Sequence, residues 1–405
     1  MNYLRTVTTG RLLATIAGVV AAIVAGAAAA VAATSGGPVP KPQPLARAIH
    51  QALKAPAVSA VSARVTFTNN LVDSSEIQGS DPLLKGGAGR LWLSSGAREL
   101  RLEVQGENGD AQLVVHNRSF WAYDPSSETV YEGKFPAQSG SRAHRSRHEG
   151  IPSVAQIQSA LTRIMQHAQV SGAVPSDIAG RAAYTVRVTP KPRGGLLGGF
   201  ELGWDAVRGV PLRFEVLARG DSTPVLELTA TDISFGSVPT SAFAISPPKG
   251  AKVVHVYGLG PDSSERHAKT GANHREVTGV AAVSRALPFK LAAPNRVAGL
   301  HRTTVRLLHG GSQPAALVTY GQGLGAVVVV EHASRGRSAA GFGGATAQGA
   351  EGQGLSIPTV SIDGTTGQEL DTALGTVIRF ARHHVAYTVL GSVRPAVARA
   401  AARGL

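Results

Sequence analysis

The sequence predicts an α+β protein in which a broad β-sheet carries short helices and is followed by a smaller α+β domain. The clearest sign is the strict alternation of apolar and polar residues in segments 99–105 and 212–216. A strand has a period of two residues, so each segment is apolar on one side and polar on the other. Such strands recur through residues 64–135 and 181–235, and together they predict a sheet with one large apolar face. That face must be covered by helices or filled by something else.

Two helices are predicted within the first domain. Residues 45–53 place apolar side chains at helical spacing and are ended by Pro56. Residues 153–168 begin with Ser153 as the N-cap and Gln156 three residues later, which is the pattern of a capping box. The predicted strands are 64–69, 89–94, 99–105, 111–116, 120–123, 129–132, 183–189, 199–204, 212–218 and 225–234. Residues 205–211 are predicted to form a hairpin connection.

A second, smaller α+β domain is predicted at residues 280–405, after a polar linker at residues 251–279. Residues 333–354 are rich in Gly, Ala, Ser and Gln, which is typical of a disordered loop. A short element is predicted at 280–287 and a terminal helix at 395–403. The predicted strands are 303–308, 315–320, 326–331, 359–362, 375–380 and 384–391.

The N-terminus has the pattern of an export signal. Arg5 and Arg11 precede an apolar run from Leu12 to Ala33, and small residues close it. Residues 1–33 are therefore interpreted as a signal peptide, or as a retained anchor, since 22 apolar residues are long enough to cross a bilayer. Residues 34–44 form a Pro-rich linker. Whether this segment is cleaved or retained, we expect an extracytoplasmic protein, secreted or held at the outer face of the cytoplasmic membrane.

Charge and cysteine content narrow the classes of function. The formal charge is +14, and residues 250–405 hold 16 basic and 8 acidic residues, a net charge of +8. Outside the cytoplasm this favours an anionic membrane surface as a partner rather than nucleic acid, although a solvated Arg-rich surface explains the same charge. The chain has no cysteine, so disulfides, thiolate metal sites and cysteine nucleophiles are excluded.

No catalytic, metal or cofactor site is predicted. His144 and His148 have the i, i+4 spacing of a metal site, but their Gly and Arg neighbours disfavour a helix. The sequence lacks the G-x-S-x-G elbow of a hydrolase. The glycines at 321–325 lack the Lys-Ser/Thr of a phosphate-binding loop.

Several phrases of the first domain resemble one superfamily. They are G-R-A-A-Y-T-V-R-V-T-P, G-W-D-A-V-R-G-V-P-L-R-F-E-V and T-A-T-D-I-S-F-G between residues 180 and 236, and F-W-A-Y-D-P-S-S-E-T-V-Y upstream. Over residues 45–250 the chain is similar to the LolA/RseB-type superfamily, which includes MucB-type members. The resemblance implies a curved antiparallel half-barrel sheet around an apolar cavity, lidded by short helices. RseB/MucB-type members also have a second, small domain.

The resemblance and the sheet pattern together lead to a functional hypothesis. We expect a non-enzymatic binding protein with a hydrophobic cavity for the acyl chain of a lipid, lipopeptide or lipoprotein, acting as a carrier or an envelope sensor. The alternative is an RseB-like regulatory module that binds a membrane-bound anti-sigma factor, a transporter or another envelope protein. A structural envelope protein is the third possibility. An ordinary packed core would also explain the alternation of apolar residues.

Candidate cavity residues are the apolar side chains predicted to point inward from the strands, together with two tryptophans at the rim. They are Phe67, Trp92, Leu102, Val104, Trp121, Val186, Val188, Phe214, Val216, Leu226 and Leu228. A basic loop precedes the predicted lid helix, and its Arg142, Arg145 and Arg147 are candidates for contact with a headgroup or an acidic partner. The same loop is equally explained as a solvated surface segment.

Overall fold

A computed structural model describes residues 39–73, 77–78, 82–96, 98–107, 109–135, 151–191, 194–256, 277–308, 314–334, 354–355 and 357–405. Predictions for the leader (1–33), for Arg142, Arg145 and Arg147, and for nearly all of the Gly/Ala-rich loop lie outside the described residues. Within the described part, every helix is too short or too polar to cross a membrane.

Within the described residues up to Val256, the structure has fourteen strands. They are β1 (Ala60–Asn69), β2 (Ile77–Gln78), β3 (Gly86–Ser94), β4 (Glu99–Val104), β5 (Ala111–His116), β6 (Ser119–Asp124), β7 (Thr129–Lys134), β8 (Ala168–Val170), β9 (Val174–Ile178), β10 (Arg181–Pro190), β11 (Leu197–Asp205), β12 (Pro211–Ala218), β13 (Pro224–Phe235) and β14 (Lys252–Val256). All except β2 form a 13-stranded sheet in the order β14-β7-β6-β5-β4-β3-β1-β13-β12-β11-β10-β8, with β9 beside β10. This is the curled, mostly antiparallel half-barrel that the resemblance implied.

The second half of the chain forms a separate eight-stranded sheet. Its strands are β15 (Arg296–Val297), β16 (Leu300–Leu308), β17 (Ala315–Tyr320), β18 (Val327–Ala333), β20 (Thr359–Ile362), β21 (Thr365–Thr372), β22 (Gly375–Arg382) and β23 (Val385–Gly391), while β19 (Gly354–Leu355) pairs with β2 of the first half. The sheet order is β15-β16-β17-β18-β23-β22-β21-β20. The predicted α+β class is therefore confirmed in both domains.

Five short α-helices lie in the described part of the chain: α1 (Leu45–Lys54), α2 (Pro82–Lys85), α3 (Val154–Ile164), α4 (Val280–Ala286) and α5 (Pro395–Arg403). The first three belong to the half-barrel, and α4 and α5 belong to the second domain. In α5, Pro395 stands in the first turn, where its missing N–H costs nothing. Ala398, Ala401 and Ala402 of α5 are fully buried against the second sheet.

The predicted lid helix is shorter than expected. It ends at Ile164, and Ala168 begins β8 instead of ending the helix. The physical reason is tertiary, because Ala168 and Val170 pair with Pro190 and Val188 at the edge of the sheet. Strand pairing at this edge outweighs the helix propensity of the segment.

The first domain also extends beyond its predicted end at residue 250. The chain leaves β13, crosses the outer face of the sheet and returns as β14, which pairs in parallel with β7. Arg101 Nη1 donates a hydrogen bond of 3.2 Å to the carbonyl of Ala242 and so ties this crossing segment to the sheet. Part of the predicted linker is therefore a strand, since residues 252–256 complete the edge beside β7.

Two backbone amides donate hydrogen bonds between the domains. The amide of Leu196 donates to Ser392 Oγ at 2.9 Å, and the amide of Ala373 donates to the carbonyl of Leu71 at 2.9 Å. At Gly195, φ is +84° and an added Cβ would lie 2.7 Å from Leu324 Cβ. A side chain at this position would force the domains apart, which explains a glycine at this turn.

Candidate functional site

One face of the large sheet carries apolar residues in continuous cross-strand rows. Residues directly opposite each other on neighbouring strands share a face. One row runs through Phe67, Leu228, Phe214, Leu202 and Val186, and the next runs through Leu226, Val216, Phe200 and Val188. The register therefore brings seven of the predicted cavity residues, namely Phe67, Leu228, Phe214, Val186, Leu226, Val216 and Val188, onto one face of strands β1 and β10–β13.

Helix α1 covers one end of this face. Its Leu45 and Ala48 pack against Tyr184 and Trp204, which belong to β10 and β11. The two rings lie 6.0 Å apart between centroids. The hydroxyl of Tyr184 donates to the carbonyl of Lys41 at 2.6 Å and so fixes the segment that leads into the helix. This end of the apolar face is closed.

Helix α3 lies beside α1 but is barely buried. Its N-terminus is a complete capping box, because Ser153 Oγ accepts from the Gln156 amide and Gln156 Oε1 accepts from the Ser153 amide. Only Ile157 of this helix is buried. Three other apolar side chains of the helix and its C-cap are exposed: Val154 is 41 % exposed, Ile164 47 % and Met165 44 %. Because so little of this helix is buried, its capping box is an important source of its stability, and it keeps the apolar stripe helical.

The apolar face of the sheet is also partly exposed. Phe200 is 39 % exposed, and its ring stacks on that of Phe214 with 6.1 Å between centroids. Leu161 of α3 belongs to the same apolar cluster as Val186 and Leu202, so the helix packs against these strands. We use the name apolar groove for the apolar residues of this face together with the apolar stripe of α3. Its floor is Val186, Val188, Phe200, Leu202, Phe214, Leu226 and Leu228, and its wall is Val154, Leu161, Ile164 and Met165.

The other half of the apolar face is closed by the protein's own side chains. Leu102 and Val104 of β4 are buried, as is Phe67 of β1, and they pack with Leu83 of α2 and with Val58. Asn69 Nδ2 donates to the carbonyl of Leu83 at 2.6 Å and holds α2 against the sheet. Phe67, Leu102 and Val104 therefore belong to a packed core beside the groove rather than to its open part.

The two predicted rim tryptophans lie on the opposite face. Trp92 pairs with Arg101 and Ser62, and Trp121 pairs with Val114 and Glu132, in a row that alternates with the apolar rows. The Arg101 guanidinium lies 4.9 Å from the centroid of the Trp92 ring. Each tryptophan differs by one strand position from the residues on the apolar face, and a shift of one position changes the face.

The outer face of β10–β13 is charged rather than apolar. Glu201 accepts from Arg187 at 3.0 Å and from Arg213 at 3.1 Å, and Arg213 Nε lies 3.1 Å from Glu215. Burial raises the pKa of Glu215 above its ordinary value, and nearby Arg213 opposes this shift. A cavity of about 330 Å³ lies at this side, lined by Arg187, Thr189, Arg219, Asp221 and neighbours. Its lining combines these charged side chains with apolar Leu197 and Leu217, and it shares no residue with the floor or wall of the apolar groove.

Sequence reasoning missed some groove residues that its own pattern contained. Phe200 and Leu202 alternate within the predicted strand 199–204, so strand periodicity alone identifies them. Val154, Ile164 and Met165 lie at helical spacing within the predicted helix 153–168, but periodicity does not tell whether such an apolar stripe is covered. Among the described residues no three His, Asp or Glu side chains are grouped as metal ligands would be.

Neither protein-family models nor curated protein sequences match the chain. Among solved structures, the chain is similar to MucB in the MucA/MucB complex of Pseudomonas aeruginosa, with 16 % identity, 88 % of this chain and 94 % of that chain covered, and a TM-score of 0.38. It is also similar to a LolA superfamily protein from Nitrosomonas europaea, with 11 % identity, 46 % and 91 % covered, and a TM-score of 0.18. A putative outer membrane lipoprotein-sorting protein domain from Vibrio parahaemolyticus has 10 % identity, 50 % and 96 % covered, and a TM-score of 0.19.

Proposed function

We propose that the chain is a non-enzymatic extracytoplasmic protein that binds the acyl chain of a lipid, lipopeptide or lipoprotein in the apolar groove. The observation that carries this proposal is the exposure of apolar side chains on both sides of the groove. Phe200 on the floor and Ile164 and Met165 on the wall are 39 %, 47 % and 44 % exposed. A monomeric protein rarely leaves facing apolar surfaces uncovered unless they bind something.

The energy available in such a groove suits an acyl chain. Each buried CH₂ contributes about 0.8 kcal/mol, so a chain of about twelve carbons gains roughly 10 kcal/mol before ordering costs. The described floor carries no formal charge, and its Val, Leu and Phe side chains suit an acyl tail without a polar contact. A headgroup would remain outside the groove. Arg142, Arg145 and Arg147, which precede α3 in the sequence, are candidates for contact with it.

The test begins with the full-length chain after gentle purification. Native mass spectrometry is expected to show a bound lipid, and a fluorescent fatty acid is expected to bind saturably. Phe214→Asp places a carboxylate on the groove floor and is expected to remove both signals, since a charge there must be desolvated by the ligand. Glu227→Gln on the outer face of the neighbouring β13 is the matched control and is expected to bind normally. If Phe214→Asp still bound the fatty acid saturably, the binding site would lie outside the apolar groove.

The regulatory alternative makes a different prediction for the same experiment. A module that binds an anti-sigma factor or another envelope protein would use the open groove for an apolar peptide segment. It would purify without lipid and show no saturable uptake of the fluorescent fatty acid. If the protein captured a membrane-protein segment, and Phe214→Asp abolished that capture, the regulatory function would be supported. A bound lipid would support the carrier or sensor function.

A further inference from the structure

The second domain buries a carboxyl group in the middle of its apolar core. Glu331 lies on β18, opposite Ala316 on β17 and Tyr387 on β23, and it is fully buried. Its neighbours on the same face, Val329 and Val327, are also fully buried. The core above this face includes α5 and the apolar residues of segment 287–293.

This carboxyl has very few partners. Oε2 accepts a hydrogen bond of 2.9 Å from the backbone amide of Ala292. Within the described part of the chain, Oε1 has no hydrogen-bond partner, and neither does the buried hydroxyl of Tyr320. Glu369, a second buried carboxylate of this domain, is different, because Arg399 donates to its two oxygens at 2.7 and 2.5 Å. A carboxylate can accept about four hydrogen bonds, so Glu331 is poorly satisfied as an anion.

The charged groups around Glu331 do not neutralise it. Arg302 interacts with the buried Tyr320 but donates to the carbonyl of Ala293 and to Asn295. Arg382 interacts with Tyr387 but donates to the carbonyl of Ile362. On α4, Arg285 donates to the carbonyl of Ala281. On α5, Arg399 donates to Glu369. On β21, Glu369 and Asp371 add further acid to the same face of the sheet.

Glu331 is therefore better buried as a neutral acid than as an anion. Burial raises its pKa to about 7, and the Ala292 N–H opposes the shift only in part. The phenols of Tyr320 and Tyr387 stay protonated, because burial raises the pKa of each of them. Of Glu331, Tyr320 and Tyr387, Glu331 is then the group that changes charge near neutral pH. Burial also raises the pKa of Asp371 on the same face, but the Thr376 hydroxyl donates to that carboxylate and opposes the shift.

We propose that Glu331 is a proton-controlled latch on segment 287–293. With the carboxyl protonated, Oε2 holds the Ala292 amide and the segment lies closed over the sheet. With the carboxyl ionised, the charge draws water into the core, and the segment that covers it opens. A buried charge with a single backbone partner is unfavourable, whereas opening this one short segment lets water solvate it.

The direction of the pH effect follows from the raised pKa. The closed state binds the proton more tightly than the open state, in which Glu331 is solvated and titrates near 4.5. Closure is therefore most favourable below about pH 4.5 and weakens as the pH rises towards 7. Between pH 5 and pH 7 the opening equilibrium constant is expected to rise about 40-fold.

The test uses the full-length protein labelled with ¹³C and ¹⁵N. The carboxyl carbon of Glu331 is expected to titrate near pH 7, and the Ala292 amide to lose about 40-fold of its hydrogen-exchange protection from pH 5 to pH 7, after correction for intrinsic exchange. Glu331→Gln keeps the acceptor for Ala292 without the charge and is expected to make protection independent of pH.

Glu369→Gln is the control. It removes the pair with Arg399 but leaves Glu331 intact, so the pH dependence at Ala292 is expected to remain. A Glu331 midpoint below pH 5, or protection at Ala292 that does not change between pH 5 and pH 7, would overturn the latch. The Glu331 titration and the hydrogen exchange at Ala292 both use the protein without substitutions. They therefore test the latch even if the Glu331→Gln variant does not fold.

Discussion

Phe200 allows the groove to be tested with little damage to the fold. Its ring is 39 % exposed, whereas a buried phenylalanine of the same domain, Phe67, is 7 % exposed. A phenylalanine side chain buries about 200 Å², so about 80 Å² of the Phe200 ring is left for a ligand to cover. At about 25 cal/mol per Å² this area is worth about 2 kcal/mol, or about a 30-fold change in the dissociation constant.

The variant Phe200→Ala is therefore expected to weaken binding of a fluorescent fatty acid by about 30-fold. Its loss of unfolding free energy is expected to be below the 3–5 kcal/mol that is typical for a buried phenylalanine. Val253→Ala is the matched control, because Val253 is 52 % exposed but lies on the edge strand β14, on the outer face of the sheet. Equal affinities for Phe200→Ala and Val253→Ala in an equilibrium titration would refute the groove as the binding site.

Three further predictions concern helices and buried charges. Ser153→Ala removes the cap of α3 and is expected to cost about 1 kcal/mol, seen as faster hydrogen exchange in that helix, whereas exchange in β1 stays unchanged. Arg399→Ala leaves the buried Glu369 unpaired and is expected to lower the unfolding free energy by about 1–3 kcal/mol, which is less than for a fully buried pair because the Arg399 side chain is 44 % exposed. Arg399→Lys is expected to lie in between, and an unchanged melting temperature would contradict this prediction. For Glu331, raising the pKa from 4.5 to about 7 corresponds to about 3 kcal/mol, so the second domain should lose about that much stability between pH 4.5 and pH 7 in chemical denaturation, and Glu331→Gln should abolish the loss.

Much of the first domain followed from local pattern. The alternation in residues 99–105 and 212–216 corresponds to β4 and β12, and the Ser153–Gln156 pattern forms the capping box that starts α3. These features depend on neighbours in sequence, so periodicity and capping preferences are sufficient to predict them. Where a segment has a distant partner, local pattern failed: residues 168–170 pair with β10, and residues 252–256 pair with β7.

The candidate site residues also fall into two groups, those that strand periodicity predicts and those that were assigned without it. That Phe214 and Val186 share an apolar face was determined by strand periodicity, since a period of two fixes the side of each residue once a strand exists. Trp92 and Trp121 were assigned without applying that period, and both lie on the other face.

The amino-acid sequence by itself determined the kind of elements and the apolar face of the sheet, because both depend on residues that are neighbours in sequence. Only the tertiary structure decided that α2 closes the face over Leu102 and Val104, while α3 leaves Phe200 open. It also decided that Glu331 is buried without a cation and Glu369 is buried with one. Burial and pairing depend on where distant segments come to lie, and the free energy of packing over the whole chain sets those positions.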